Sequence, residues 1–473
     1  MDYEKLYIDG EWVSGSSGAF IDVENPATEK IFARVPRGNA EDVDKAVRAA
    51  HRAFPAWAAL PLPERIRLME KFLEIFRSQE EALIDIIIKE LGSPRSFTKT
   101  SQVEYQYTRT RNYIDLAPEV PLIEKTAAST VYREPIGVIG CITPWNYPLG
   151  QVIQKIVPAL LMGNTVVLKP SQHTPLSAYF LAEAFDQAGF PKGVFNLVPG
   201  RGGEVGNALS VHPLVGMISF TGSTSGGIRV GQKALESVKH ISLELGGKSP
   251  YVILKKEDHD YTEPIHLCFN SIFLNSGQTC TAFSRLLIPK EEKEIIEKQL
   301  VKIVKEYTVG DPTDPNVKLG PVASMAQYEK ILGYIREGAD EGAKFLAGGL
   351  PPAPDCGYYI PPVIFTDVKN TMSIAQDEIF GPVLCVIAYE NEDEAVAIAN
   401  DTRYGLNAGV YGPKDKAVEI ARRIQSGNVY INASPRDCAA PFGGYKESGI
   451  GREGGIYGML EFTQQKALFD TGE

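Results

Sequence analysis

Residues 274–285, LNSGQTCTAFSR, set Cys280 among small and hydroxylated neighbours directly after an apolar run. A thiol there can be packing, a metal ligand, half of a redox pair or a nucleophile. Burial is the plain reading, because free cysteine packs as a small hydrophobe. The metal and redox readings need partners at set spacings. The six cysteines (Cys141, Cys268, Cys280, Cys356, Cys385 and Cys438) contain no CxxC, and the six histidines form neither HExxH nor a close pair. No metal site is expected, and packing and nucleophilic chemistry remain.

Several polar groups could assist a nucleophilic thiol. LELGGKSP places Glu244 at the end of an apolar strand, where burial would raise a carboxyl pKa toward that of a working base. TPWNYP fixes Asn146 between Trp145 and Tyr147 with prolines on both sides, and a side-chain amide there could donate to a developing oxyanion. VLKPSQ puts Lys169 at the carboxyl end of a strand, the edge where ligands sit in open α/β sheets. DEIFGPV sets Glu378 in a turn before a strand. Each residue alone also has a structural reading, as a cap, an ion pair or a turn. Together they offer a thiol, a base and an amide donor.

A phosphate cradle is also legible. FTGSTSGG ends a strand at Phe220 and opens a helix at Gly222-Ser223, and helix N-termini present free N–H groups to phosphate. An ordinary strand-to-helix turn would read the same way. VPGRGGEVG follows a strand but departs from GxGxxG, because Val205 stands where the last glycine belongs.

The elements that must position these groups follow from periodicity. Residues 39–90 read as helices, with Asn39 and Asp42 as an N-terminal cap and ERIRLMEKFLEIF repeating apolar residues every three or four. From Gly137 the pattern alternates short β-branched runs with helical ones. GVIGCI, TVVLKP, VFNLVPG, VGMISFTG and HISLELGG read as buried parallel strands, and TPLSAYFLAEAFDQAG and GEVGNALSVH as helices. A second alternating block runs from about 248 to 447. There PIHLCFNSIFLNSG reads as a buried helix, RLLIP, PVLCVIAY, NAGVYG and NVYIN as strands, and EKEIIEKQLVKIVKEY, EDEAVAIAND and DKAVEIARRIQS as helices. Two doubly wound α/β domains with a cleft between them are expected, and such clefts bind ligands.

Composition narrows the partners. The chain has 473 residues, with 48 Lys+Arg against 59 Asp+Glu for a net charge of −11. No basic stripe is present, so nucleic acid is not an expected partner. No run approaches the 18 or so apolar residues of a membrane span, and MDYEKLYIDGEWV lacks the apolar core of a signal peptide. A cytoplasmic location with reduced thiols is expected.

The stretches PWNYPL, LELGGKSP, GQTC, EIFGPV and PFGGYKESGIGRE, in this order, resemble the signatures of the NAD(P)-dependent aldehyde dehydrogenase superfamily. The resemblance runs from YIDGEWV to the C-terminal strand. It implies an NAD(P)-binding domain over 1–117 and 137–247, a catalytic domain over 248–447, and a small β oligomerisation arm over 118–136 and 455–473. A homodimer or homotetramer is implied with it.

By the same resemblance Cys280 is the nucleophile, Asn146 holds the oxyanion with the Cys280 backbone N–H, and Glu244 activates the hydrolytic water. Lys169 and Glu378 match residues that hold the nicotinamide-side ribose, while Gly222 and Ser223 match the pyrophosphate contacts. The implied NAD or NADP contacts are completed by Thr143, Pro144, Trp145, Ser171, Gln172, Gly200, Gly206, Phe220, Leu245, Gly246 and Phe380. Implied substrate contacts are Tyr147, Gln151, Thr279, Thr281, Arg436 and Phe442.

Two departures stand out. NAD-preferring relatives commonly read Lys-Pro-x-Glu, and here KPSQ puts Gln172 in the glutamate's place, which leaves NADP use open. NASPRDCAAPFGG carries Arg436 and Asp437 where many relatives are apolar, and YPLGQVIQK brings Gly150, Gln151 and Gln154. A polar or charged aldehyde fits these residues, beside the plainer reading of solvated loop charges. Glu244 points to thioester hydrolysis. A CoA-acylating relative, or a non-catalytic protein on the same fold, are the alternatives.

Overall fold

The computed structural model describes residues 3–352 and 354–469. The first sheet has a parallel core in the order Phe195–Leu197, Thr165–Lys169, Val138–Ile142, Val215–Thr221, His240–Glu244. Counted from Val138–Ile142 this is the 3-2-1-4-5 order of a doubly wound sheet, and its direction reverses between Val138–Ile142 and Val215–Thr221. Antiparallel strands close both edges. Leu6–Ile8 pairs with Leu197 on one side, and Gly449–Ile450 returns to pair with Leu243 and Glu244 on the other.

These strands are continuous apolar runs because both faces are covered. Ile139 and Cys141 enter one core with Val166 and Leu168, while Val138 and Ile142 enter the opposite core with Val167. Each fully buried Val, Leu or Ile contributes about 1.5–3 kcal/mol over exposure, so a one-residue slip in register would be costly. The helix Ala40–Ala59 packs on this sheet and begins with the expected capping box. Asn39 accepts from the Glu41 and Asp42 amides, and Asp42 accepts from the Asn39 amide.

The second sheet runs Lys344–Ala347, Val363–Thr366, Val383–Tyr389, Arg285–Pro289, Pro250–Ile253, Asn407–Tyr411, Asn428–Ile431, parallel except for the first pair. Here too Tyr251 and Ile253 face one core and Val252 the other. Residues 245–249 link Glu244 of the first sheet directly to Pro250 of the second.

A third, three-stranded sheet stands apart. Thr463–Phe469 pairs along all seven residues with Ser129–Pro135, which pairs with Ile123–Lys125. Its side chains are largely open, with Ile123 61% and Phe469 82% exposed. Residues 470–473 of the expected arm lie outside the described residues.

Local differences from the sequence reading have physical causes. The helix expected over 264–277 stops at Phe273, because Asn275, Ser276 and Gly277 take φ values of 54°, 55° and 73°. A β-carbon on Gly277 would come within 2.1 Å of the Gly381 carbonyl, so only glycine lets the chain turn there. The helix expected over 203–212 is a wide turn, Gly202–Gly206, followed by Asn207–Val211. The strand expected from Val194 is confined to Phe195–Leu197.

Candidate active site

Cys280 sits in the loop that the left-handed turn releases ahead of the strand Arg285–Pro289. Two successive non-glycine residues in this conformation are strained, and the surroundings hold them. The Asn275 amide donates to the carbonyls of Asn146 at 3.0 Å and Gln278 at 3.3 Å. The Ser276 hydroxyl donates to Gly320 O at 2.8 Å. The Gln278 side chain donates to Asn275 O at 3.0 Å and accepts from the Ala323 amide at 2.8 Å.

Asn146 comes from the turn after Val138–Ile142 and is buried against this loop. Its amide donates to Gln278 O at 3.0 Å, two residues before Cys280. The Gln102 side chain donates to Asn146 O at 3.0 Å and fixes the other side. Tyr147 and Thr279 pair through their hydroxyls at 2.9 Å, tying the same two segments together.

Two cavities meet at the thiol. One, of about 360 Å³, is lined by Thr143, Pro144, Trp145, Asn146, Lys169, Ser171, Gln172, Phe220, Gly222, Ser223, Leu245, Gly246, Glu378 and Phe380. The other, of about 270 Å³, is lined by Tyr147, Gln151, Thr279, Thr281, Arg436 and Phe442. Cys280 and Gln151 are the residues common to both. Burial, with the charges of Glu378 and Glu244, pushes the Cys280 thiol up to about 12. Cys141 and Cys268, by contrast, are core residues.

The larger cavity opens where the first sheet reverses direction, the expected place for a ligand in an open α/β sheet. Ser223 caps the helix Thr224–Leu235 by accepting from the Gly226 amide at 3.2 Å, and Gly222 and Ser223 at this helix end line the cavity. Burial lowers Lys169 to about 8, and its ammonium donates to Pro170 O at 2.6 Å. Glu378 accepts from the Gly247 amide at 3.0 Å. Trp145 and Phe380 meet edge to face at 5.3 Å. Thr143 Oγ1 and Thr221 Oγ1 are buried without a partner among the described residues, so this cavity holds hydrogen-bonding capacity that a nucleotide can satisfy.

Three residues singled out from the sequence lie elsewhere. Gly200 and Gly206 do not line the cavity, where Gly202 stands instead; Gly200 is packed against Val205. Glu244 lines neither cavity. Its carboxyl is buried with both oxygens free of hydrogen bonds among the described residues, and burial together with the charge of Glu453 raises its pKa well above the usual carboxylate range. Glu453 itself is buried with Lys155 at 2.6 Å, and its backbone bridges Phe442 in both directions at 2.6 and 2.7 Å.

The sequence reading missed other wall residues. His173, Gln327 and Lys330 line the larger cavity, and Phe97, Tyr105, Gln106 and Arg109 the smaller. Gln102, Gln106, Arg109 and Thr110 all lie on buried faces of residues 98–116, where a packed helix would carry aliphatic side chains. That polar burial was the available signal.

Among the described residues, no group of three or more His, Cys, Asp or Glu could hold a metal ion, and no helix is long and apolar enough to cross a membrane.

The Aldehyde dehydrogenase family model matches residues 12–468. A solved structure of aldehyde dehydrogenase C from Pseudomonas syringae, a mutant complexed with NAD+ and octanal, is 41% identical with a TM-score of 0.96, covering 99% of this chain and 96% of that one. The Mycobacterium tuberculosis aldehyde dehydrogenase complexed with NAD+ is 39% identical, TM-score 0.96, over 100% and 99% of the two chains. An NAD+ complex of aldehyde dehydrogenase from Bacillus cereus is 37% identical, TM-score 0.95, over 100% and 97%. A match over almost every residue, at this identity and in the same fold, establishes that the chain belongs to the aldehyde dehydrogenase family.

Proposed function

We propose that this protein oxidises an aldehyde to the carboxylic acid with NAD+ or NADP+. The observation that carries the reading is the position of Cys280 in the wall shared by the two cavities, with one cavity suited to a nucleotide and the other to a small substrate. The cofactor-binding part comprises 1–117 and 137–247, the catalytic part 248–447, and the arm 118–136 with 455–473.

In this reading the larger cavity holds the dinucleotide. Gly222, Ser223 and the helix end behind them face the pyrophosphate, Lys169 and Glu378 the nicotinamide-side ribose, and Gln172 the adenine-side ribose. The oxidised nicotinamide supplies a hydride acceptor and a positive charge that favours thiolate beside it.

Glu244 accepts the Cys280 thiol proton and passes it to solvent, while Sγ attacks the carbonyl carbon, forming a C–S bond as the carbonyl π pair moves onto the oxygen. Asn146, held rigidly against the catalytic loop, donates to that oxygen together with the Cys280 amide. Loss of the aldehyde hydrogen with its electron pair leaves a thioester on Cys280. Glu244 then takes a proton from water as the new C–O bond forms and the C–S bond breaks, returning the thiol. A buried carboxyl with no hydrogen bond among the described residues is free to turn toward that water, and burial with the charge of Glu453 makes its carboxylate a stronger base than an ordinary one.

The nucleophilic role requires reduced thiols, which supports a cytoplasmic site of action. The open apolar side chains Ile123, Leu468 and Phe469 support the arm as a contact between copies in a homodimer or homotetramer.

The test is reduced-cofactor absorbance with a panel of aldehydes and chemical identification of the product. Acid formed without CoA, in a 1:1 ratio to reduced cofactor, supports the reading. Cofactor reduction that requires CoA, or none with any aldehyde, overturns it.

A further inference from the structure

The smaller cavity continues past the thiol into a third, of about 240 Å³. Those two share Tyr105, Arg109, Gln154, Arg436 and Phe442. The order is therefore cofactor cavity, Cys280 with Gln151, substrate cavity, then two arginines at its far end.

Neither arginine has a carboxylate partner among the described residues. Arg109 is 8% exposed and donates only through Nη1, to Gln106 Oε1 at 2.7 Å and Gly150 O at 3.2 Å. Its Nε and Nη2 have no hydrogen-bond partner among the described residues. Arg436 lies 4.7 Å over the Phe442 ring and 5.9 Å from the Tyr105 ring, and forms no ion pair there.

Among the described residues the substrate cavity has no acidic wall residue. In the outer one the single carboxylate is Asp437, which accepts from the Ala439 amide at 2.8 Å. Burial, and next the charge of Arg436, lowers the Arg109 guanidinium from its ordinary value. Arg109 is buried and Arg436 exposed, and an anion placed between these two unpaired cations is attracted by both and offsets their repulsion. The substrate cavity also contains no Leu, Ile, Val or Met, which suits a polar chain better than a long alkyl one.

We propose that the substrate is an aldehyde with a carboxylate at the opposite end, the carboxylate received by Arg109 and Arg436 while the carbonyl lies at Cys280. This rests on the oxidation proposed above, and its product is a dicarboxylate. Guanidinium forks match a carboxylate with paired hydrogen bonds, so position as well as charge is selected.

The experiment compares ω-oxo-carboxylates of four to eight carbons with their methyl esters and with ω-aminoaldehydes of equal length, in the parent, Arg436→Gln and Arg436→Lys. A charge-assisted hydrogen bond predicts kcat/KM about tenfold or more higher for the acid than for its ester, chiefly through KM. Aminoaldehydes should be the poorest substrates, and the acid/ester ratio should collapse in Arg436→Gln and recover in part in Arg436→Lys.

A merely structural Arg436 would lower both substrates together and keep the ratio. Neutral aldehydes oxidised as well as the acids, or an unchanged ratio in Arg436→Gln, overturns the proposal and leaves the oxidation standing. If no aldehyde is oxidised, calorimetric binding of the C4–C8 dicarboxylates decides. Binding weakened at least tenfold in Arg436→Gln supports the arginine site, and no binding by the parent overturns it.

Discussion

Asn146 donates its side-chain amide to the carbonyl of Gln278 at 3.0 Å, across 132 residues of chain. The bond joins the turn after the first strand of one sheet to the strained loop that presents Cys280 before a strand of the other. In the proposed mechanism Asn146→Ala removes an oxyanion donor together with this tie. Loss of one such donor costs about 10²–10³ in kcat. Calorimetric affinity for NAD+ should change less than threefold. A kcat within tenfold of the parent would remove Asn146 from the oxyanion site.

Glu244 gives a pH dependence of definite sign. Burial and the charge of Glu453 hold its proton to higher pH than an ordinary carboxyl, so the base form appears as pH rises. Thioester hydrolysis should accelerate with pH through that raised pKa. Stability runs the opposite way. The unfolded chain releases this proton first, so stability from the protonated form is complete below the ordinary carboxylate range and lost as pH rises through the native value.

Glu90, also raised by burial, to about 8, adds the same slope. Comparison with Glu244→Gln separates the two. The variant's urea midpoint should gain on the parent's as pH rises above the ordinary carboxylate range, and parallel midpoints would contradict a raised Glu244.

Lys155 and Glu453 form a buried pair, and the Glu453 backbone bridges Phe442 in the wall of the smaller cavity. Breaking such a pair by removing one partner costs about 3–5 kcal/mol, whereas an apolar replacement of both costs less. Glu453→Gln should lower stability by about that amount in urea denaturation. Lys155→Met with Glu453→Leu should be more stable than either single variant. Single-variant losses below about 1 kcal/mol would show the pair to be solvated.

Gln172 lines the larger cavity beside Ser171 and His173, the cavity proposed for the dinucleotide. A carboxylate there would repel a ribose 2′-phosphate by about 4 kcal/mol at ~4 Å and an effective dielectric near 20, or about 1 kcal/mol if solvated. The parent is expected to accept NAD+ and tolerate NADP+. Gln172→Glu should raise the NAD/NADP ratio of kcat/KM at least several-fold at one salt concentration. An unchanged ratio would place the discriminating contact elsewhere.

Much of this arrangement was legible in the chain because the relevant signals are local. The strands of the first sheet are short, β-branched and apolar throughout, as strands covered on both faces must be. Asn146 and Cys280 lie in short stretches with distinctive neighbours. Other features depend on contacts between distant segments. The apolar run before Cys280 reads as a continuous helix through Gly277, yet the close approach of Gly381 turns Asn275-Ser276-Gly277 into a left-handed bend. Arg109 belongs to a helix whose buried face is polar, and a search for apolar periodicity passes over it. Glu244 is where the strand pattern puts it, but which way its carboxyl points is set by packing with residues two hundred positions later.

Cys280, in the wall between the two cavities, is the residue proposed to form the covalent bond to substrate. The most direct measurement uses Glu244→Gln, mixed with NAD+ and an aldehyde that the parent oxidises, quenched in acid after one turnover, digested and mapped by mass spectrometry. With the base removed, thioester hydrolysis should slow by about 10²–10⁴-fold. One equivalent of acyl group should then be found on the peptide containing Cys280, matched by one equivalent of NADH, and neither should form in Cys280→Ser. Acyl label on another residue, or full turnover by Cys280→Ser, would contradict the account.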